Sequence, residues 1–294
     1  MRNSILLLAL TFSLTRCSNK EVATPPVVKP PVDTVVSTFP HPDHIIFVWF
    51  ENKGSDSILG SSSAPYINSL IAQGTLFTNT SAITHPSYPN YVAFFGADQN
   101  GITNDKCVET MGLTTPNLFT NLNEVGKSFA WYSEGLPETG SKACFAPNSY
   151  VAKHNPTTIF SNVPASANKR FADFPSNYDS LENVVCISPN LNNDMHDGSV
   201  AKGDDWLKSK MSSLIEWCKT HNSIFVVYYD ENDGGEGNKI PVVAVGEPVM
   251  ANFADTTSYD HYNWTRTVSK MFSANETWTT NLSSREAITS CWKK

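Results

Sequence analysis

Positive charge is scarce in this sequence. Lys and Arg number 21 against 28 Asp and Glu, a formal net charge of −7 over 294 residues. That balance argues against broad nucleic-acid binding, whose affinity comes from basic groups that neutralise phosphates. It leaves room for an anionic small substrate, because a bound cation inverts the local field. No C-x-x-C pair occurs, which excludes the usual thiolate zinc site. No internal repeat is evident. The first apolar run, Ser4 to Leu14, is too short to cross a bilayer.

What is present at the N-terminus is an export pattern: Arg2, then the short apolar run, then Leu14-Thr15-Arg16-Cys17. The last four residues are similar to a bacterial lipoprotein cleavage box, with Cys17 as the residue to be lipidated, although Arg16 stands where a small residue is usual. The expectation is a signal peptide and lipobox over 1–17, giving a periplasmic or cell-surface lipoprotein, with plain secretion as the alternative. Residues 18–40 carry Pro25, Pro26, Pro30, Pro31 and Pro40 with few large apolar groups and read as an extended tether. Residues 41–294 are expected to form one catalytic domain, with ample length for a buried core.

In an exported chain, cysteines invite disulfide arithmetic. Lipidation of Cys17 would leave Cys107, Cys144, Cys186, Cys218 and Cys291, an odd number. Cys107 and Cys144 lie in polar, loop-like sequence and are expected to pair. Cys186 lies in the apolar run Val184-Val185-Cys186-Ile187 and is expected to be a buried thiol.

From His44 onward the chain alternates between strand and helix patterns. Ile45 to Phe50, Val184 to Ser188, Ile224 to Tyr229 and Pro241 to Val245 are continuous apolar runs, the mark of strands buried on both faces. Phe129 to Tyr132 is another strand candidate. Tyr66 to Gly74, Pro116 to Val125, Asp204 to Lys219 and Trp264 to Phe272 have helical spacing. Such alternation predicts an α/β fold with a largely parallel central sheet and helices on both faces. The Pro- and Asn-rich interval 142–178 reads as an ordered insertion over one end of that sheet.

Polar residues gather where strands end, which is where sites form in open α/β sheets. Trp49-Phe50 is followed by Glu51-Asn52, Tyr228-Tyr229 by Asp230-Glu231, and Cys186-Ile187-Ser188 by a loop running to Asp194, His196 and Asp197. Glu51, Asp230 and Glu231 as carboxylates and Asn52 as an amide oxygen suit a hard or borderline divalent cation. Brought together without one, the three acids would repel. Asp230 to Gly235 is not an EF-hand, because it follows a strand and lacks the later glutamate. Ser87, in His85-Pro86-Ser87-Tyr88-Pro89-Asn90-Tyr91, is expected in a bent, non-helical turn fixed by its flanking prolines. Asn90 is expected near a helix start, where exposed N–H groups favour an anion. No G-x-S-x-G elbow surrounds Ser87, which argues against a conventional serine hydrolase. Among the histidines, His154, His196 and His261 are the site candidates, while His41, His44 and His221 border apolar segments and read as surface or linker residues.

Taken together, Glu51-Asn52, His85 to Tyr91, Lys153 to Pro156, Asn192 to Asp197, Asp230 to Gly234 and Asp260-His261-Tyr262 resemble the phosphoesterase family. That family includes bacterial and fungal acid phosphatases and, more distantly, phospholipase C-type enzymes, and it looks like a branch of the alkaline-phosphatase-like superfamily. The resemblance covers residues 44–273. It implies an alkaline-phosphatase-like fold, Ser87 as nucleophile and Asn90 as the amide that binds a phosphate oxygen. Glu231 stands where two-metal relatives offer histidine, and Asn192 where they offer a carboxylate. The resemblance therefore implies one divalent cation (Zn, Ca, Mg or Mn) held by Glu51, Asn52, Ser87, Asp230 and Glu231. Ser87 is expected to attack phosphorus and form a phosphoseryl intermediate, with His196 or His261 protonating the leaving oxygen.

The expected activity is acid phosphatase action on a small phosphorylated substrate. The alternatives are a phosphodiesterase or phospholipase C acting on lipid headgroups, and a non-catalytic surface lipoprotein. No nucleic-acid partner and no obligate protein partner are implied, and the membrane enters only through the N-terminal anchor.

Overall fold

The apolar run that sets the fold is His44–Phe50 (β1), all seven residues of which are buried. A strand whose residues are buried on alternate sides needs cover on both faces, and aromatic contacts supply it. Phe47 and Trp49 meet Phe94 on one side, while Phe50 meets Trp206 on the other. The structure, a computed structural model, describes residues 39–107 and 111–293. The expected signal peptide, the Cys17 lipobox and nearly all of the tether lie outside the described residues.

After β1 come two short helices, Ser55–Ile58 (α1) and Pro65–Ile71 (α2), then the strand Thr75–Ser81 (β2). Next are the helices Ser87–Gly96 (α3) and Leu118–Glu124 (α4) and the strand Phe129–Ser133 (β3). The insertion contributes a two-strand hairpin, Phe145–Ala146 (β4) and Tyr150–Val151 (β5), several 3-10 turns, and Asn168–Arg170 (β6). Val184–Ser188 (β7), Val200–Cys218 (α5), Ser223–Tyr229 (β8), Lys239–Gly246 (β9), Phe253–Asp255 (β10), His261–Met271 (α6) and Thr280–Ser283 (α7) complete the order.

The main sheet has eight strands in the order β10-β2-β9-β8-β1-β7-β3-β6. Every neighbouring pair is parallel except those made by β9, which runs against both β8 and β2. Helices α3, α4 and α6 pack together on one face, and α2 and α5 on the other. The expected α/β architecture with a largely parallel sheet is therefore the observed one.

Local differences have local causes. Ser199 accepts from the Lys202 amide and starts α5 a turn before Asp204. Asn117 and Thr120 form a reciprocal cap that starts α4. β2 carries no continuous apolar run; its buried and exposed residues intermingle, so it gives no buried-strand signal. The insertion is not only a cover, because β6 pairs with β3 and becomes the sheet's edge. Cys107 and Cys144 form the expected disulfide, and Cys186 is a buried free thiol, as are Cys218 and Cys291.

Candidate active site

β1 and β8 are parallel neighbours, and their register pairs Phe50 with Tyr229. The next residue on each strand is an acid, so Glu51 and Asp230 emerge side by side at the carboxyl edge. The Asp230 amide donates to Phe50 O at 3.1 Å, keeping the two chains together one step beyond the strands. On the other side of β1, the loop after β7 closes in through a 2.8 Å bond from Glu51 N to Asp194 O.

Ser87 meets these acids. Its hydroxyl lies 2.9 Å from Glu51 Oε2 and 3.2 Å from Glu231 Oε1, and the side chain is buried. The seryl oxygen is thus within hydrogen-bonding reach of acids from two distant parts of the chain. The backbone differs from the expected bent turn: Ser87 is the first residue of α3 and Pro86 its N-cap. Proline is tolerated in the first turn, where no intrahelical N–H bond is needed, so Pro89, the third residue of α3, is compatible with the helix.

Asn90 is one turn into α3, and both ends of its amide are engaged. Its Oδ1 accepts from the Ile83 and Thr84 amides at 3.1 Å each, and its Nδ2 donates to Thr84 O at 2.9 Å. Nδ2 also faces Glu231 Oε2 at 3.5 Å. In this structure Asn90 ties down the loop that delivers Ser87, instead of presenting a free amide to an anion.

Asn52 adopts the left-handed region, φ 50°, which Asn tolerates better than most residues. Its backbone N–H donates to Asp230 Oδ1 at 3.1 Å, and its side-chain nitrogen, not its oxygen, faces Glu51 Oε2 at 3.2 Å. The expected amide-oxygen donor therefore points its N–H group at the cluster.

His154 is inside the site. It is buried, stacks on Tyr91 with 5.3 Å between ring centroids, places Nδ1 3.1 Å from Asp194 Oδ2, and brings Nε2 3.1 Å from Glu51 Oε1. Burial, and then the charge of Lys153, hold its pKa well below the usual imidazole value, so it is a neutral ring at physiological pH. His196 lies at the rim, 5.8 Å from His154 between ring centroids, with Nδ1 2.8 Å from Asp197 Oδ1.

His261 is placed differently from the expected proton donor. Its Nδ1 is 2.8 Å from Tyr228 OH and its Nε2 is 2.8 Å from Asp230 O, and the ring is fully buried. Burial lowers its pKa to about 4. Both nitrogens are spent on holding the end of β8, which leaves no proton to give to a leaving oxygen.

Several further side chains of these motifs line the site. Asp194, two residues from Asn192, is the buried acid at this position; Asn192 itself turns away to donate to Ser149 Oγ at 2.8 Å. The carboxylate count is therefore higher than the sequence reading gave. Tyr91 donates to Glu51 Oε1 at 2.5 Å. His85, exposed over nearly half of its side chain, sets Nδ1 2.6 Å from Glu231 Oε2. Tyr91 follows Ser87 by one helical turn, which puts both on the same face of α3; that spacing was a usable signal. Asp194 had none, because its neighbours Asn193 and Asp197 are as polar as it is.

The acids share an electrostatic strain. Burial, then Asp230 and Asp194, raise Glu51 well above the usual carboxylate range. Burial raises Asp230 to about 7, and burial with Asp230 beside it raises Glu231 to about 8; burial raises Asp194 to about 8. Asp230 Oδ2 and His154 Nε2 are buried and make no hydrogen bond. An unpartnered oxygen among crowded carboxylates fits a hard divalent cation, whose charge would remove the repulsion. Among the described residues, no three His, Cys, Asp or Glu groups are close enough to hold a cation by themselves.

The family model for the Phosphoesterase family matches residues 47–275, which include every side chain of this cluster. The chain belongs to the Phosphoesterase family. It is a hydrolase acting on phosphate esters. A phosphatidylinositol-3-phosphatase from Mycobacterium tuberculosis is 40% identical over 245 residues, covering 83% of this chain and 81% of that one. An acid phosphatase from Aspergillus niger is 31% identical, over 75% of this chain and 56% of its own. The chain thus spans a little over half the length of that fungal relative. Among solved structures, a lipoteichoic acid synthase from Listeria monocytogenes superposes with a TM-score of 0.60 at 9% identity, covering 84% of this chain and 77% of that one. A protein of the alkaline phosphatase superfamily from Vibrio parahaemolyticus gives 0.53 at 12% identity, over 80% and 67%. At such identities the likeness is one of fold alone, shared with that protein of the alkaline phosphatase superfamily.

Proposed function

We propose that this phosphoesterase is a cation-dependent phosphomonoesterase of the acid-phosphatase kind, using Ser87 as nucleophile. The observation that carries this reading is the seryl hydroxyl lodged between Glu51 and Glu231, on the edge where two parallel strands deliver their acids. A serine hydroxyl is a poor nucleophile at neutral pH and needs activation. Glu51, Asp230, Glu231 and Ser87 would hold a divalent cation, which would supply that activation by lowering the hydroxyl pKa and offsetting the carboxylates. Zn, Ca, Mg and Mn all accept such oxygen-rich sets.

Ser87 Oγ then attacks phosphorus in line, its proton passing to a flanking carboxylate. A seryl P–O bond forms as the ester P–O bond breaks. In its protonated form, when Nε2 carries a proton and no longer accepts from Lys153, His196 at the rim supplies the proton to the departing alcohol. Water attacks the phosphoserine, releases phosphate and restores the hydroxyl. Asn90 holds the loop before Ser87, and His261 holds the end of β8, so both act by keeping nucleophile and acids in register.

The phosphatase names of the relatives favour a monoester, on a small phosphorylated molecule for an enzyme of the acid phosphatase kind or on a lipid headgroup as in the name of the Mycobacterium relative. The N-terminal pattern supports export with an anchor at Cys17, which would be the chain's one membrane contact; no described helix is long and apolar enough to cross a membrane. Neither a nucleic-acid nor an obligate protein partner is part of this reading.

The test is hydrolysis of p-nitrophenyl phosphate by Ser87→Ala, with and without chelator. Loss of turnover in a folded variant, and loss of parent activity on chelation, are the expected results. Ser87→Ala activity at the parent level would reject the nucleophile, and activity indifferent to chelator would reject the cation.

A further inference from the structure

Lys153 precedes His154 and has no role in the chemistry above. Its ammonium lies 2.8 Å from Asp105 Oδ2 and 3.3 Å from His196 Nε2, with 17% of the side chain exposed. We propose that Lys153 is a phosphate-binding residue of this site, its ammonium held at the mouth by Asp105 and receiving the non-transferring oxygens of the ester. The proposal rests on the reading that the Ser87 cluster is where phosphate binds.

Charge is the first argument. Glu51, Asp194, Asp230 and Glu231 are crowded at the bottom of the site, and a phosphate monoester adds negative charge. Lys153 is the basic side chain whose charge reaches all four of them. Its place in the fold is the second argument. Lys153 sits in the 3-10 turn Ala152–His154, whose next residue is wedged between Glu51 and Asp194. The backbone that fixes His154 therefore fixes the lysine stem as well.

Donor arithmetic gives the third argument. An ammonium has three N–H groups. Asp105 and His196 take two, and among the described residues no group takes the third. Asp105 is itself fixed, since Oδ1 accepts from the Tyr88 amide at 2.9 Å. Tyr88 follows Ser87 in α3, and Cys107, two residues after Asp105, is locked to Cys144. The ammonium is thus referenced to the nucleophile by one carboxylate. A lysine serving only as a surface ion pair would have no need of that connection, and such pairs contribute little to stability.

The test uses inorganic phosphate as the probe, measured by calorimetry on the full chain with its purified cation content. In a Ser87→Ala background, which binds without turning over, Lys153→Met should weaken phosphate at least tenfold, the scale of one lost charge-assisted hydrogen bond. Lys153→Arg should bind within about threefold of its Ser87→Ala parent, because the charge is kept. In the active background, Lys153→Met should raise KM for p-nitrophenyl phosphate by a larger factor than it lowers kcat. Lys153→Gln serves as the second neutral variant should the methionine variant misfold. Unchanged phosphate affinity in a folded neutral variant would overturn the assignment while leaving Ser87 untouched. Full turnover by Ser87→Ala would overturn the nucleophile, and the phosphate titration would still decide Lys153.

Discussion

Remove divalent cations from this protein and raise the pH from 5 to 8, and it should lose stability. The sign follows from the acids. Asp230 stands near 7 against an ordinary value of 3.8, Asp194 near 8 against 3.8 and Glu231 near 8 against 4.5. A carboxyl group raised in the fold keeps its proton to higher pH than it does in the unfolded chain. Its contribution is therefore intact below about pH 4 and is lost as pH climbs through 7 to 8. For Asp230 alone, the gap corresponds to about 4 kcal/mol at about 1.36 kcal/mol per pH unit. The acids are coupled, so their individual costs do not add.

Between pH 5 and 8 about 3 kcal/mol of the Asp230 contribution is lost, which in a domain of this length moves Tm by on the order of 10 °C. Scanning calorimetry at pH 5, 6, 7 and 8 in chelator reads it directly. Saturating Mg, Mn, Ca or Zn should restore most of the loss at pH 8, because a bound cation replaces the protons. Glu231→Gln should raise Tm of the chelated protein at pH 8 while abolishing turnover. Equal stability at pH 5 and pH 8 in chelator, with no gain on adding any cation, would refute the electrostatic account of this site.

Two further perturbations probe its frame. The Cys107–Cys144 bond spans 37 positions, and loop-entropy arithmetic gives about 4 kcal/mol for a closure of that length. Replacing both cysteines with serine should lower Tm by a comparable order of 10 °C under oxidising conditions, and an unchanged Tm would contradict it. His261→Phe strands Tyr228 OH and Asp230 O, at about 1–3 kcal/mol for each buried group left unpaired. If His261 only holds β8, the variant loses stability and activity but keeps the shape of its pH–rate profile. Disappearance of one limb of that profile would restore His261 as a proton donor.

Sequence alone determined the architecture and the chemical inventory. β1, β7 and β8 are short continuous apolar runs rich in β-branched and aromatic residues, the mark of strands covered on both sides. Each ends abruptly in polar residues, which is why Glu51, Asp230 and Glu231 were legible as a group. Motif order gave Ser87. Tertiary structure decided which neighbours face one another, because that depends on register and loop closure rather than on composition. Asp194 and Asn192 are equally polar in sequence, yet only Asp194 is carried against His154, by a loop pinned to Glu51 N. His196 and His261 look alike as histidines beside aspartates. The first lies at the rim beside Asp197 and Lys153, and the second is fully buried against Tyr228 and the Asp230 carbonyl. Lys153 acquires its meaning from Asp105, 48 positions away, a pairing made by the fold through contacts that no local pattern encodes.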